Sequence, residues 1–287
     1  MNGMPGADKL QPTLPARRGF IMGSLMMGFT MATAHGQAAP IHTDANGLTA
    51  GEVQVPVRDG SLPAYAASPA GGGTHPVVIV IEEIFGIHEY IKDICRRLAK
   101  QGYMAVAPEF YARLGDLSKM TDVQQIIRDV ISKAPDAQFQ SDLAAAVAWA
   151  QASGRGDRTR LAVTGFCRGG RQTWLTAESN PEVKAAVAWY GPVAGPTSDI
   201  QPRTPMDLAA QLKCPLLGLY GGADTSIPVE QVRAAEAKAK AAGKVVEIVV
   251  YPDAPHGFHA DYRPSYRKEA AEDAWQRMLA WFKRYGV

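Results

Sequence analysis

Val77-Val78-Ile79-Val80-Ile81 is a run of five consecutive β-branched apolar residues. A strand with one wet face alternates apolar and polar positions; a continuous run predicts a strand buried on both faces. Similar short runs follow at Met104–Ala107, Leu161–Thr164, Val183–Tyr190, Pro215–Tyr220 and Val245–Val250. Helical periodicity separates many of them, over 88–101, 120–132, 138–152 and 229–241, and a closing amphipathic helix is expected over 265–285. Strands alternating with helices imply an α/β fold: a mostly parallel, doubly wound sheet with helices on both faces. In such sheets ligands bind at the carboxyl ends of the strands. Ahead of this pattern, Val53–Val57 and Leu62–Ala67 flank the turn signal Arg58-Asp59-Gly60 and read as an antiparallel pair.

The first 38 residues do not belong to that pattern. Arg17-Arg18 precedes the short apolar run Phe20–Ala34, and small residues follow at Ala32-Thr33-Ala34 and Gly36-Gln37-Ala38. This is the layout of a bacterial export signal, and the paired arginines resemble the twin-arginine type. The expectation is a signal peptide over 1–38, a single domain over 39–287, export through the twin-arginine machinery and a periplasmic, soluble mature protein. After residue 38, 27 basic and 27 acidic side chains remain. A surface without net charge offers no field for a nucleic-acid backbone. No cofactor or metal is expected, because no phosphate-binding glycine loop and no His/Cys cluster of zinc spacing is present.

Gly165-Phe166-Cys167-Arg168-Gly169-Gly170 follows one predicted strand directly and opens a helix. A nucleophile on a sharp strand-to-helix turn needs small flanking residues, and the next backbone N–H then faces the developing oxyanion. The central residue is Cys167, and a helix N-terminus favours its thiolate. Arg168 and Arg171 in that first turn suggest attraction for an anion. Cys95 and Cys214 lack such a setting and are expected in the core. A thiol nucleophile needs a base and a group to orient it. Tyr220-Gly221-Gly222-Ala223-Asp224 and Tyr251-Pro252-Asp253-Ala254-Pro255-His256-Gly257 follow the next predicted strand ends. They supply Asp224 and His256, with Asp253 and His259 as rivals. Cys…Asp…His is also the chain order of α/β-hydrolases. Glu82-Glu83 ends the first core strand, and alternation aims the two carboxylates in opposite directions. Glu83 is expected to face the site and Glu82 to be solvated. His88 is expected at the surface.

These blocks, with Ala107-Pro108-Glu109-Phe110-Tyr111-Ala112-Arg113 and His256-Gly257-Phe258, resemble the dienelactone hydrolases (carboxymethylenebutenolidase-like proteins) of the α/β-hydrolase superfamily from about Val53 onward. The resemblance implies an ester or enol-lactone hydrolase. In it Cys167 is the nucleophile, His256 the acid/base, Asp224 its orienter, and Glu83 the group that takes the thiol proton when substrate binds. Backbone N–H groups of Ile84 and Arg168 would form the oxyanion hole. Founding members bind a substrate carboxylate with arginines, one of them four residues after the histidine. Here that position is Ala260, so Arg263 and Arg128 are the candidates, with Tyr111 beside them. A thiol-based redox sensor or a non-catalytic binding protein on the same fold is the second reading.

Overall fold

The computed structural model describes residues 40–287, so the expected signal over 1–38 lies outside the described residues. Eight strands form one sheet: β1 (Leu48–Val57), β2 (Gly60–Pro69), β3 (His75–Ile81), β4 (Met104–Pro108), β5 (Gly156–Phe166), β6 (Val183–Trp189), β7 (Leu216–Gly221) and β8 (Val246–Tyr251). Their spatial order is β1-β2-β4-β3-β5-β6-β7-β8. β1 pairs antiparallel with β2, as the turn signal predicts, and β2 pairs antiparallel with β4. Every remaining pair is parallel. The expected α/β fold is therefore present.

Among the described residues, six helices of more than one turn lie between or after the strands: α1 (Glu89–Lys100), α2 (Val123–Asp129), α3 (Asp136–Ala152), α4 (Arg168–Ser179), α5 (Val229–Ala241) and α6 (Lys268–Arg284). One departure from the sequence reading has a local cause. The helix expected over 120–132 is broken into α2 and a 3-10 turn at Ile131–Lys133. Asp122 caps α2 by accepting from the backbone N–H groups of Gln124 and Gln125. Between β6 and β7 only the single helical turn Pro205–Leu208 forms before a short 3-10 segment. Gly191, Pro192, Gly195, Pro196 and Pro202 crowd that connection, and they disfavour a longer helix.

The run that opens the sequence is the centre of the sheet: Val77, Val78, Ile79, Val80 and Ile81 have no exposed surface. Burial on both faces is what their unbroken apolar pattern requires. The chain leaves β3 for β4 on one side, while β5 leads on to β6 on the other. The strand order thus reverses between β3 and β5. A crevice opens at the carboxyl ends of two strands at such a point. Glu83 follows one of them and Cys167 the other. Among the described residues no helix is long and apolar enough to cross a membrane.

Candidate active site

The turn after β5 is built by close approach. A Cβ on Gly165 would stand 2.4 Å from the Gly169 carbonyl oxygen, and one on Gly169 would stand 2.4 Å from that of Ile81. Only glycine lets β3, β5 and the first turn of α4 come this near. Between them Cys167 adopts φ +54° and ψ −116°, a conformation that costs about 1–3 kcal/mol for a residue with a side chain. Its N–H donates to the Trp189 carbonyl at 3.0 Å, and its own carbonyl accepts from Gly170 N–H at 2.9 Å. The strained residue is therefore held from β6 and from α4. Arg168 begins α4, and a helix leaves its first N–H groups without intrahelical partners.

Asp224 and His256 come from the loops after β7 and β8. His256 Nδ1 donates to Asp224 Oδ2 at 2.7 Å. The other carboxylate oxygen accepts from Ser226 N–H at 2.8 Å, Ser226 Oγ–H at 2.6 Å and Ile227 N–H at 3.2 Å. Asp224 is thus a turn residue and an imidazole partner at once. Burial works against ionisation of Asp224, but the His256 and Ser226 contacts hold its carboxyl below the usual range. For His256, burial lowers the pKa. Cys167, by charge and by hydrogen bond, and Asp224 outweigh it and raise the ring to about 10. The ring is thus held in its protonated form beside the Asp224 carboxylate.

The rivals are separated by geometry. Asp253 is exposed. His259 is 3% exposed, shares a 2.7 Å hydrogen bond with Tyr90 through Nδ1, and lies among the rings of Phe166, Trp189 and Trp275. Burial pushes its pKa down to about 3, with Arg97 adding to the effect. It is a neutral core histidine.

Glu83 is fully buried. Tyr262 Oη–H donates to its Oε2 at 2.6 Å, Arg263 Nη2 lies 3.3 Å from its Oε1, and His88 Nε2 lies 3.5 Å from its Oε2. Burial alone would raise its pKa, but Arg263, His88 and Tyr262 bring it down to about 2. Arg263 is fixed in turn by Nε–H donation to Tyr262 Oη at 2.9 Å and by stacking over Phe85 at 4.9 Å. The Cys167 charge also acts on Arg263, so this guanidinium serves both groups. Arg263, three residues after Ala260, therefore lies in the cluster around Glu83.

Other expectations are corrected. Arg128 is largely exposed and pairs with its neighbour Asp129 at 3.1 Å. It lies on the outer side of α2, because Ile126 and Val123 take the inner side, and it does not join the cluster. Tyr111 does come close: it is 1% exposed, packs in one apolar cluster with Ile84, and feels the charge of Arg168. Arg171 is occupied by a bidentate pair with Asp136 at 2.8 and 2.9 Å and by the Arg203 carbonyl. Arg168 Nη2 donates to Gln201 Oε1 at 2.7 Å. His88 is not a free surface residue; it lies edge-on to Tyr262 with ring centres 4.8 Å apart. Glu82 is not solvated: it has no exposed surface. Alternation does turn it away from Glu83, but the opposite side of this strand end is core.

The sequence reading missed Tyr262 and Tyr190. Tyr262 shows itself only through its neighbour Arg263. Tyr190 has φ +36°, is fully buried, and presents its ring edge-on to His256 with centroids 5.2 Å apart. A tyrosine between a strand and Gly191-Pro192 was the available signal.

A doubly wound sheet with Cys, Asp and His after its fifth, seventh and eighth strands defines an α/β-hydrolase. The dienelactone hydrolase family profile matches residues 62–286, and the chain belongs to that family of hydrolases. A Methylorubrum extorquens protein named "Putative carboxymethylenebutenolidase" is 57% identical over 278 residues, covering 96% of this chain and 95% of its own. A Bradyrhizobium protein named "Probable 2-oxo-3-(5-oxofuran-2-ylidene)propanoate lactonase" is 31% identical, covering 77% of this chain and 88% of its own. The crystal structure of a "Putative Dienelactone Hydrolase" from Klebsiella pneumoniae superposes with TM-score 0.81 at 51% identity, covering 83% of this chain and 99% of that one.

Proposed function

We propose that this hydrolase cleaves a carboxylic ester or lactone through Cys167 and a thioester acyl-enzyme. The observation that carries the reading is the convergence of Cys167, His256 and Asp224 from three strand ends, with His256 hydrogen-bonded to Asp224 and close enough to Cys167 to feel its influence. In the proposed reaction the Cys167 sulfur attacks the carbonyl carbon. The oxyanion accepts from the N–H groups of Ile84 and Arg168, each such donor contributing about 3–4 kcal/mol to transition-state stabilisation. Collapse breaks the C–O bond, and the alkoxide or enolate leaves with a proton from His256. Water, deprotonated by His256, then attacks the thioester carbonyl, and Cys167 leaves as the thiolate. Asp224 keeps the imidazole oriented throughout.

Glu83 enters when substrate binds. With Arg263, Tyr262 and His88 around it, it is too weak a base to hold a proton at neutral pH. A substrate carboxylate competing for Arg263 removes the strongest of these influences. Glu83 then becomes basic enough to take the thiol proton. The same competition favours anionic lactones, and the name of the Bradyrhizobium relative, a lactonase of an oxofuranylidene propanoate, supports that substrate class. The test is turnover of an activated ester and a dienelactone by the purified protein. Cys167→Ala with full turnover would sink the proposal.

The thiol-sensor reading finds no support, since Cys95 and Cys214 are buried and burial pushes both thiols up, Cys214 to about 12. Such thiols make poor resolving partners. We further propose that residues 1–38 direct twin-arginine export to the periplasm, on the strength of Arg17-Arg18 and the run that follows. Replacing both arginines by lysine should leave the precursor unprocessed in the cytoplasmic fraction. Unchanged periplasmic recovery would refute it.

A further inference from the structure

Glu82 and Glu83 are adjacent, both fully buried, yet their surroundings differ. Glu83 has a guanidinium, an imidazole and a phenol against it. Glu82 has no cation among its influences; the charged group that acts on it is another carboxyl, Glu109. Neither of its oxygens makes a hydrogen bond of good geometry, and the donors beside it are the backbone amides of Phe110 and Tyr111. An ionised carboxylate placed so would lack compensation, and a group in that position neutralises instead.

The place itself is specific. The Glu82 carbonyl oxygen lies where a Cβ on Gly169 would be only 2.5 Å away, so its backbone abuts the first turn of α4. Its side chain meets the amides of the turn after β4. The segment Ile84-Phe85-Gly86 leaves from this junction. Ile84 packs in one cluster with Tyr111, and Tyr111 feels the charge of Arg168. Glu82 therefore ties together the strand end and the β4 turn that frame both amides assigned to the oxyanion.

We infer that Glu82, held as an uncharged acid, is a positioning residue for the oxyanion hole. It fixes the Ile84 loop against the Phe110-Tyr111 turn and keeps negative charge from behind the site where an oxyanion forms. The inference rests on the cysteine ester-hydrolase reading above. The groups that act on Glu82 are Glu109 and Tyr111 from the β4 turn; Arg168 acts on Tyr111 from α4, and the neighbouring Glu83 is turned away.

The experiment compares Glu82→Gln and Glu82→Ala in the full chain. Glutamine keeps the shape and the neutrality, so kcat should stay within about threefold of the unaltered protein. Alanine removes the tie, so kcat should fall at least tenfold with KM changed less than threefold. A residue that only supports folding would lower thermal stability without this split. Infrared difference spectra in D2O at pH 7 read the charge directly. The unaltered protein minus Glu82→Gln should show a protonated-carboxyl C=O band. The band of a further buried acid, Glu178, raised to about 9 by burial, should cancel. Absence of the difference band, a glutamine variant as impaired as alanine, or an alanine variant with unchanged kcat would each overturn the inference. The infrared band does not depend on which residue attacks the ester. Failure of the cysteine reading would show instead as turnover by Cys167→Ala.

Discussion

Replacing Arg263 by methionine removes the one guanidinium paired with Glu83 while keeping most of the buried stem volume. Glu83 ionises at about 2 in the folded chain against an ordinary 4.5. The difference corresponds to ~3 kcal/mol of stability. Because the folded value is depressed, this contribution is fully present above pH 4.5 and is lost as pH falls towards 2. Without Arg263 the carboxylate remains buried with only Tyr262 and His88 beside it. Breaking a buried ion pair from one side costs about 3–5 kcal/mol. For a chain of this size each kcal/mol shifts Tm by roughly 2–4 °C, so Arg263→Met should melt about 10 °C lower at pH 7. The deficit should shrink as pH falls below 4.5, where the unaltered protein loses its own advantage. Arg263→Met/Glu83→Gln, neutral on both sides, should recover most of the loss. Thermal unfolding between pH 3 and 7 checks all three statements. A single variant within 1 kcal/mol of the unaltered protein at pH 7, or a double variant no better than the single, would refute the claim that Arg263 holds Glu83 ionised.

Asp224→Ala should lower kcat by at least ~100-fold, since the imidazole loses its orienter, while KM changes little; steady-state kinetics on an activated ester reads both. Gly169→Ala places a methyl against the Ile81 and Glu82 carbonyls and should destabilise the fold by ~2 kcal/mol or more, seen as a lower Tm. Iodoacetamide at neutral pH should label Cys167 alone in the native protein, with Cys95 and Cys214 reacting only after denaturation; peptide mass spectrometry distinguishes them. Arg128→Ala should keep kcat/KM within about twofold on anionic substrates, because that side chain turns to solvent.

The sheet could be read because its strands are buried on both faces, so apolar runs such as Val77–Ile81 stand out against helical periodicity. Cys167, Asp224 and His256 could be singled out because each sits in a turn at a strand end, where loop chemistry is local in sequence. What stayed hidden depends on contacts distant along the chain. Tyr262 lies 179 residues from Glu83, with which it bonds, and no local pattern signals that. Solvation of Glu82 was a reasonable expectation from two adjacent carboxylates, but it overlooked that the β4 turn and α4 close over the strand end. Arg128 failed for the opposite reason: its helix could be expected, but which side of a short helix faces the site depends on Ile126 and Val123 packing inward.

The central claim is covalent capture of the acyl group by Cys167. Mixing the protein with an activated ester, quenching in acid within the first turnovers and mapping the adduct by peptide mass spectrometry tests it directly. The account predicts an acyl group on the peptide containing Cys167, accumulating further in His256→Ala if deacylation is slowed. Steady turnover with no adduct at Cys167, or an adduct on another residue that persists in Cys167→Ala, would contradict it.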